Sequence, residues 1–176
     1  MEIMTTLEKN GDWKGAINLL QNGDNHSKTT YLRGIFFITY FLAEGQYSDA
    51  EYEYITLNLK DIYNKAKIKF QNDNQFQFFT AITIYIGEWY FDTDIAIVEQ
   101  ILKNVIELEP NNLFYKWGYY STIDQRSNIN FDMKLQLAEQ LLFIDLSYIT
   151  ALKKMGLMGS YFIGILESTY EQLKTR

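Results

Sequence analysis

Hydrophobic residues recur along most of the chain at the spacing of an α-helix. The clearest segment covers residues 94–108, where apolar side chains fall at positions i, i+3, i+4, i+7 and i+8: Val98, Ile101, Leu102, Val105 and Ile106. This spacing places them on one helical face, which is typical of an amphipathic helix. The whole pattern predicts helices near residues 2–9, 12–21, 29–43, 48–70, 75–89, 94–108, 112–124, 131–145, 148–157 and 160–174.

Composition and linker lengths agree with an all-α domain. Pro110 is the only proline, so the commonest helix breaker is missing from the rest of the chain. The 14 tyrosines and 12 phenylalanines lean towards strands, but the helical periodicity outweighs that preference. The longest apolar stretch, "GIFFITYFLA", is too short to span a bilayer and predicts a buried helix. Because the polar linkers are short, we expect a single domain over residues 1–176 and no membrane association.

Two segments share a spacing at an offset of 34 residues. "NGDWKGAINLL" from Asn10 and "EGQYSDAEYEY" from Glu44 align in four pairs: Gly11 with Gly45, Trp13 with Tyr47, Ala16 with Ala50, and Leu20 with Tyr54. Each segment is expected to form the turn of a helical hairpin. The glycine ends the first helix at positive φ, the aromatic residue packs over the turn, and the alanine allows the second helix to approach closely.

This spacing resembles that of the tetratricopeptide repeat, which has a period of 34 residues and the same order of glycine, aromatic residue and alanine. Pro110 in "LEPNN" stands where that family tends to place a proline, after the second helix of a repeat. A weaker fourth unit starts near Asn130. The resemblance implies an α-α superhelix, a solenoid of antiparallel helix hairpins that binds other proteins, with degenerate and irregular repeats.

The chain has few groups that could carry chemistry. Without cysteine it has no disulfide, no thiolate zinc site and no cysteine nucleophile, and His26 is its only histidine. Asp92 and Asp94 lack the further ligands of a calcium loop, so a cap at the start of a helix explains Asp94 better. Glycines near the C-terminus match no nucleotide fingerprint and predict a tight helix crossing or a break between helices. We expect no catalytic residues, no metal and no cofactor.

Charge points to a basic partner. The net charge is −6 and the sequence pI is near 4.8, which disfavours nucleic acid. Residues 88–109 hold six acids and one base, and Glu88, Asp92 and Asp94 are candidate contacts with a basic protein. A solvated outer helix face is the alternative explanation of these acids.

The resemblance also implies a binding surface. In such solenoids the first helix of each pair lines the concave side, and this frame places Tyr90, Phe114, Trp117 and Asp124 there. Trp117 is the leading anchor, because tryptophan and tyrosine concentrate binding energy at interfaces. Core packing remains the alternative for these aromatic residues.

Two functions follow as hypotheses. The first is an inhibitor of the immunity type that covers a basic toxin or effector, and the second is a chaperone or adaptor that holds a peptide in the concave groove. Few bases on the predicted first helices disfavour the adaptor, and an enzyme is disfavoured by the lack of reactive groups. We expect a cytoplasmic location. The sequence leaves the oligomeric state open.

Overall fold

We describe a computed structural model of the chain, which covers residues 2–23, 26–123 and 131–174. Every element within these ranges is helical, so the all-α prediction is confirmed. The α-helices are α1 (Glu2–Asn10), α2 (Trp13–Gln21), α3 (Lys28–Glu44), α4 (Asp49–Lys69), α5 (Asn74–Ile86), α6 (Ile95–Leu108), α7 (Leu113–Ile123), α8 (Phe131–Glu139), α9 (Leu146–Leu152) and α10 (Gly156–Lys174). Short 3₁₀ helices occupy Glu88–Tyr90 and Lys153–Met155, and a π-helical turn occupies Gln140–Ile144. Among the described helices, none has the length and apolar character needed to cross a membrane.

Short polar side chains define where several helices begin. Asp12, Ser27 and Asp73 each accept a hydrogen bond from a backbone N–H in the first turn of α2, α3 and α5. Ser48 and Glu51 form a reciprocal capping box at the start of α4. These caps satisfy donors that the helix itself leaves unpaired, which explains why the predicted and observed starts of these helices agree within a residue or so.

Contacts divide the chain into two compact units, residues 1–98 and 99–176, and the division falls inside α6. In the first unit α3 lies at the centre and packs against α1, α2, α4 and α5. Its residues 31–39 are all buried, which no single amphipathic face could produce. The predicted buried helix over residues 34–43 is therefore largely confirmed.

In the second unit α10 packs against α8 and α9, and α7 packs against α8. Phe114 of α7 meets Phe162 of α10 edge to face, with ring centroids 5.9 Å apart. Gly156 adopts a positive φ of 59° where the 3₁₀ turn gives way to α10. A Cβ on Gly159 would overlap the carbonyl oxygen of Leu152, so this glycine allows a close crossing. Both structural explanations of the C-terminal glycines are thus confirmed.

The 34-residue repeat holds only in part. Gly11 has the expected positive φ of 64°, but Gly45 has a φ of −84°. Gly45 is needed for space instead, because a Cβ there would stand 2.5 Å from the carbonyl oxygen of Phe41. Ala16 is fully buried as expected, whereas Ala50 is exposed. The reason is that α4 begins two residues later in the repeat than α2, which moves Ala50 out of the helix crossing.

Candidate protein-binding surface

A series of aromatic rings runs through the first unit. Neighbouring rings in the series have centroids 5.2–6.3 Å apart, in the order Tyr54, Trp13, Phe41, Tyr47, Tyr52, Tyr90 and Trp89. At these separations the rings make favourable edge and offset contacts. The series therefore joins α2, α3, the start of α4 and the 3₁₀ helix that follows α5.

Three members of this series are open to solvent. Tyr52 is 37% exposed, Tyr54 is 46% exposed and Trp89 is 56% exposed. The other two tryptophans, Trp13 and Trp117, are only 8% and 1% exposed. Trp89 is thus the tryptophan that a partner can reach, and a large exposed ring held against other rings is typical of an interaction site.

The backbone around Trp89 is held in place by its neighbours. The Tyr90 hydroxyl donates a hydrogen bond to the carbonyl oxygen of Leu42 at 2.9 Å, and the Tyr47 hydroxyl donates to the same oxygen at 2.6 Å. Phe91 is 7% exposed and packs on Tyr63, with ring centroids 5.3 Å apart. The 3₁₀ helix is closed on itself by the bond from Phe91 N to the carbonyl oxygen of Glu88, at 3.0 Å. Trp89 is therefore presented on a fixed turn, which lowers the entropy lost on binding.

The arrangement disfavours ionisation of the Tyr47 hydroxyl. Burial raises the pKa of Tyr47 above its ordinary value, and the neighbouring Tyr90 and Tyr52 raise it further. The direction agrees with the hydrogen bond to Leu42, because only the neutral hydroxyl can donate to a carbonyl oxygen.

Acidic residues flank the exposed rings along the sequence. Residues 44–54 carry Glu44, Asp49, Glu51 and Glu53, and residues 88–94 carry Glu88, Asp92 and Asp94. Neither segment contains lysine, arginine or histidine. Since these two segments hold seven negative charges and the chain has a net charge of −6, the rest of the chain carries a net charge of +1. We call the solvent-exposed side chains of residues 44–54 and 88–94 the aromatic–acidic surface, because the net negative charge of the protein is concentrated in these two segments.

Two lysines offset part of this charge. Lys14 Nζ lies 3.3 Å from Glu51 Oε1, and Lys60 forms an ion pair with Asp92. Hydrogen bonds from the backbone N–H and the hydroxyl of Ser48, together with Lys14, lower the pKa of Glu51. Within the described part of the chain, no ion pair reaches the remaining glutamates or Asp49; the residues concerned are Glu44, Asp49, Glu53 and Glu88.

The structure separates the roles of the predicted acidic contacts. Asp94 caps α6, because its Oδ1 accepts from Ala96 N at 2.8 Å, as the capping interpretation requires. Asp92 has a positive φ of 50° and pairs with Lys60. Glu88 is partly exposed at the start of the 3₁₀ helix, and among these three acids its carboxylate is the one with no hydrogen bond or ion pair to the described residues.

The predicted aromatic anchors lie in the core. Tyr90 is 5% exposed, Phe114 is 3% exposed and Trp117 is 1% exposed, so we correct their assignment from surface anchors to core residues. The same frame also places Ile35 and Thr39 of α3 on the concave side, and they are likewise buried, at 1% and 0% exposed. The physical reason is packing: α3 contacts four helices, the 3₁₀ helix that holds Tyr90 contacts α4 and α5, and α7 contacts α8 and, through Phe114, α10. Asp124 lies outside the described residues.

Sequence reasoning missed Tyr52, Tyr54 and Trp89 as surface residues. One signal could have found the tyrosines, because "DAEYEY" alternates acids and tyrosines with no base nearby. A second signal is the tryptophan directly after Gly87 and Glu88 in "GEWYF", where a chain leaving a buried helix must turn.

Other site types find no support in the described residues. No three histidine, aspartate or glutamate side chains come together there as metal ligands would. His26 is partly buried, and its Nε2 lies within hydrogen-bond distance, 2.7 Å, of the carbonyl oxygen of Leu19 near the end of α2.

Comparison with known proteins gives no relative for this chain. A scan against protein-family models found no match, and searches of curated proteins and of solved structures found no significant similarity. The resemblance to the tetratricopeptide repeat therefore stays a prediction. The aromatic–acidic surface is the feature of the described residues that bears on function.

Proposed function

We propose that this chain binds a basic protein through its aromatic–acidic surface and blocks that protein, as an immunity protein blocks a toxin. The observation that carries the proposal is the exposure of Tyr52, Tyr54 and Trp89 within two segments that contain seven acids and no base. Tyrosine and tryptophan are enriched among the residues that dominate binding energy, because they bury a large area and keep a polar atom. The acids select a partner of opposite charge and suppress acidic competitors.

Charge concentration also suits rapid capture. A surface with seven acids attracts a basic protein before contact and raises the association rate, and this effect weakens as salt screens the charges. An inhibitor benefits from such a rate, since it must reach its target before the target acts. The blocked site on the partner would be a basic one, such as the substrate-binding face of a nuclease.

For the fold, we propose a solenoid of the tetratricopeptide type in the first unit, built from the pairs α1 with α2 and α3 with α4. The packing of α3 against α2, α4 and α5, together with that of α2 against α4, supports this arrangement, because stacked hairpins make these contacts. The predicted cytoplasmic location, the lack of enzymatic activity and the absence of nucleic-acid binding stay predictions alongside it.

Affinity capture with a functional readout tests the proposal. The tagged chain, the double variant Trp89→Ala/Glu53→Lys and the control Ile68→Ala/Glu2→Lys would be used as baits in a lysate of the source cells. Ile68 is 74% exposed and Glu2 is exposed, so the control truncates one exposed apolar side chain and makes the same charge reversal elsewhere on the first unit. We expect a basic protein to be retained by the wild type and the control and lost by the double variant.

The captured protein would then be purified and assayed with increasing amounts of the chain. Loss of its activity at one equivalent supports the inhibitor function. An adaptor would instead bind its partner without abolishing the partner's activity, and that result would replace the proposal by the second hypothesis. Equal retention by all three baits would show that the aromatic–acidic surface is not the binding site.

A further inference from the structure

We propose that the aromatic–acidic surface selects arginine over lysine, with Trp89 and its neighbouring carboxylates receiving guanidinium groups of the partner. This inference rests on the proposed function and specifies the chemistry of the residue that the surface recognises. The observation behind it is a contact found elsewhere in the protein, where an aromatic ring and a carboxylate hold the same cation.

That internal arrangement holds a cation between a ring and a carboxylate. Lys14 Nζ lies 4.9 Å from the ring centroid of Trp13 and 3.3 Å from Glu51 Oε1. The ring face attracts the cation through its quadrupole and the carboxylate attracts it through its charge, so the two contacts act on the same group. Trp13 and Glu51 thus form one filled site for a cation at the edge of the aromatic series.

At the exposed end of the series, rings and glutamates of the same types are neighbours in the chain. Trp89 adjoins Glu88 in the chain, and Tyr52 adjoins Glu53. Within the described residues, neither glutamate takes part in an ion pair and no lysine or arginine lies over the Trp89 ring. Tyr52 and Trp89 both contact the ring of Tyr90, so the two pairs lie near each other. A cation from outside the described residues can therefore complete a site of this kind.

Guanidinium fits this combination better than ammonium. It is planar and can stack on an indole ring while its N–H groups donate two parallel hydrogen bonds to a carboxylate. It is also less strongly hydrated than the ammonium group of lysine, so it loses less when it meets an apolar ring. Lysine can supply the charge and a cation–π contact, as Lys14 does at Trp13, but it cannot stack as a plane or donate two parallel hydrogen bonds.

Two peptides of equal charge distinguish the contribution of stacking from that of charge attraction. Nona-arginine and nona-lysine would be titrated into the protein at low salt while tryptophan fluorescence is recorded. Trp89 is 56% exposed and the other tryptophans are buried, so a change in emission reports on this site. We expect nona-arginine to bind at least about fivefold more tightly than nona-lysine, as one or two exposed cation–π contacts allow.

Two variants show where the preference arises. Trp89→Leu keeps an apolar side chain but removes the π face, and Ile68→Ala is the matched change at the far end of α4. We expect Trp89→Leu to bind both peptides alike, as measured by calorimetry, and Ile68→Ala to keep the preference for arginine. Far-UV circular dichroism would check that both variants keep the helical fold.

The possible failures can be told apart. Equal binding of both peptides to the wild type, or a preference that survives in Trp89→Leu, would overturn the arginine inference while leaving capture of a basic partner intact. Absence of binding by either peptide would overturn the inference and would also count against charge-driven capture. The bait experiment above tests the proposed function independently, because it uses the whole natural partner.

Discussion

A buried ion pair joins α1 to the centre of the first unit, and it gives the sharpest stability prediction. Arg33 on α3 is 2% exposed, and its Nε donates to Glu8 Oε1 at 2.9 Å while its Nη2 donates to Glu8 Oε2 at 2.6 Å. Nη2 also donates to Thr5 Oγ1 at 2.9 Å. Glu8 therefore balances the charge of the guanidinium group. Side chains of α1 also accept hydrogen bonds from its Nε and Nη2 atoms.

The size of the effect follows from this burial. Glu8→Gln keeps the shape of the side chain but leaves the Arg33 charge buried and uncompensated, which costs about 3–5 kcal/mol. Thr5→Val removes one hydrogen bond to a charged group and costs about 1.5–3 kcal/mol. In contrast, the double variant Glu8→Leu/Arg33→Met removes both charges together and is expected to be roughly as stable as the wild type.

Urea unfolding followed by far-UV circular dichroism would measure these free energies. Glu2→Gln is the control, because Glu2 is exposed on the same helix and its change is expected to stay within about 0.5 kcal/mol. A loss below about 1 kcal/mol in Glu8→Gln would refute the reasoning, since a buried unpaired guanidinium must cost more. The reasoning would also be refuted if the double variant Glu8→Leu/Arg33→Met proved as unstable as Glu8→Gln.

Three further predictions concern one helix crossing and two helix caps. Gly159→Ala is expected to cost about 3 kcal/mol in urea unfolding because its Cβ would meet the backbone of α9, whereas Gly164→Ala has open space and should be neutral or stabilising. Asp94→Ala should lose about 1 kcal/mol through the missing cap of α6, and equal stability would contradict the capping role. The pKa of Glu51 is lowered in the folded state, so the ionised carboxylate stabilises the fold at pH values above the unfolded pKa. This stabilisation is lost as the pH falls through the folded pKa. Melting temperatures from about pH 6 to about pH 3 should therefore fall more in the wild type than in Glu51→Gln, and parallel curves would refute the capping box.

The course of the helices could be predicted because it depends on local signals. Apolar residues at helical spacing and capping residues such as Ser48 act within a few positions of the chain. The break before α10 was foreseen for the same reason, since the glycine at 156 is the residue that tolerates the φ of 59° found there.

The candidate surface could not be predicted because burial depends on distant segments. Trp117 and Trp89 are both tryptophans in aromatic-rich helical segments, yet the first is 1% exposed and the second is 56% exposed. Packing in the second unit covers Trp117, while the turn after α5 leads Trp89 away from the core of the first unit. Periodicity marks an apolar face but does not say whether another helix covers it. This also explains why the expected concave positions on α3 proved to be buried.

Site-directed photocrosslinking tests most directly whether the aromatic–acidic surface meets a basic protein. Benzoylphenylalanine would replace Trp89 in one sample and Ile68 in the other, and Ile68 lies about 24 Å along α4 from Tyr52 at roughly 1.5 Å per residue. After irradiation in the source cells, crosslinked proteins would be identified by mass spectrometry. We predict that position 89 crosslinks a basic protein and that position 68 does not. An acidic crosslinked protein, or the same protein captured equally from both positions, would contradict the account.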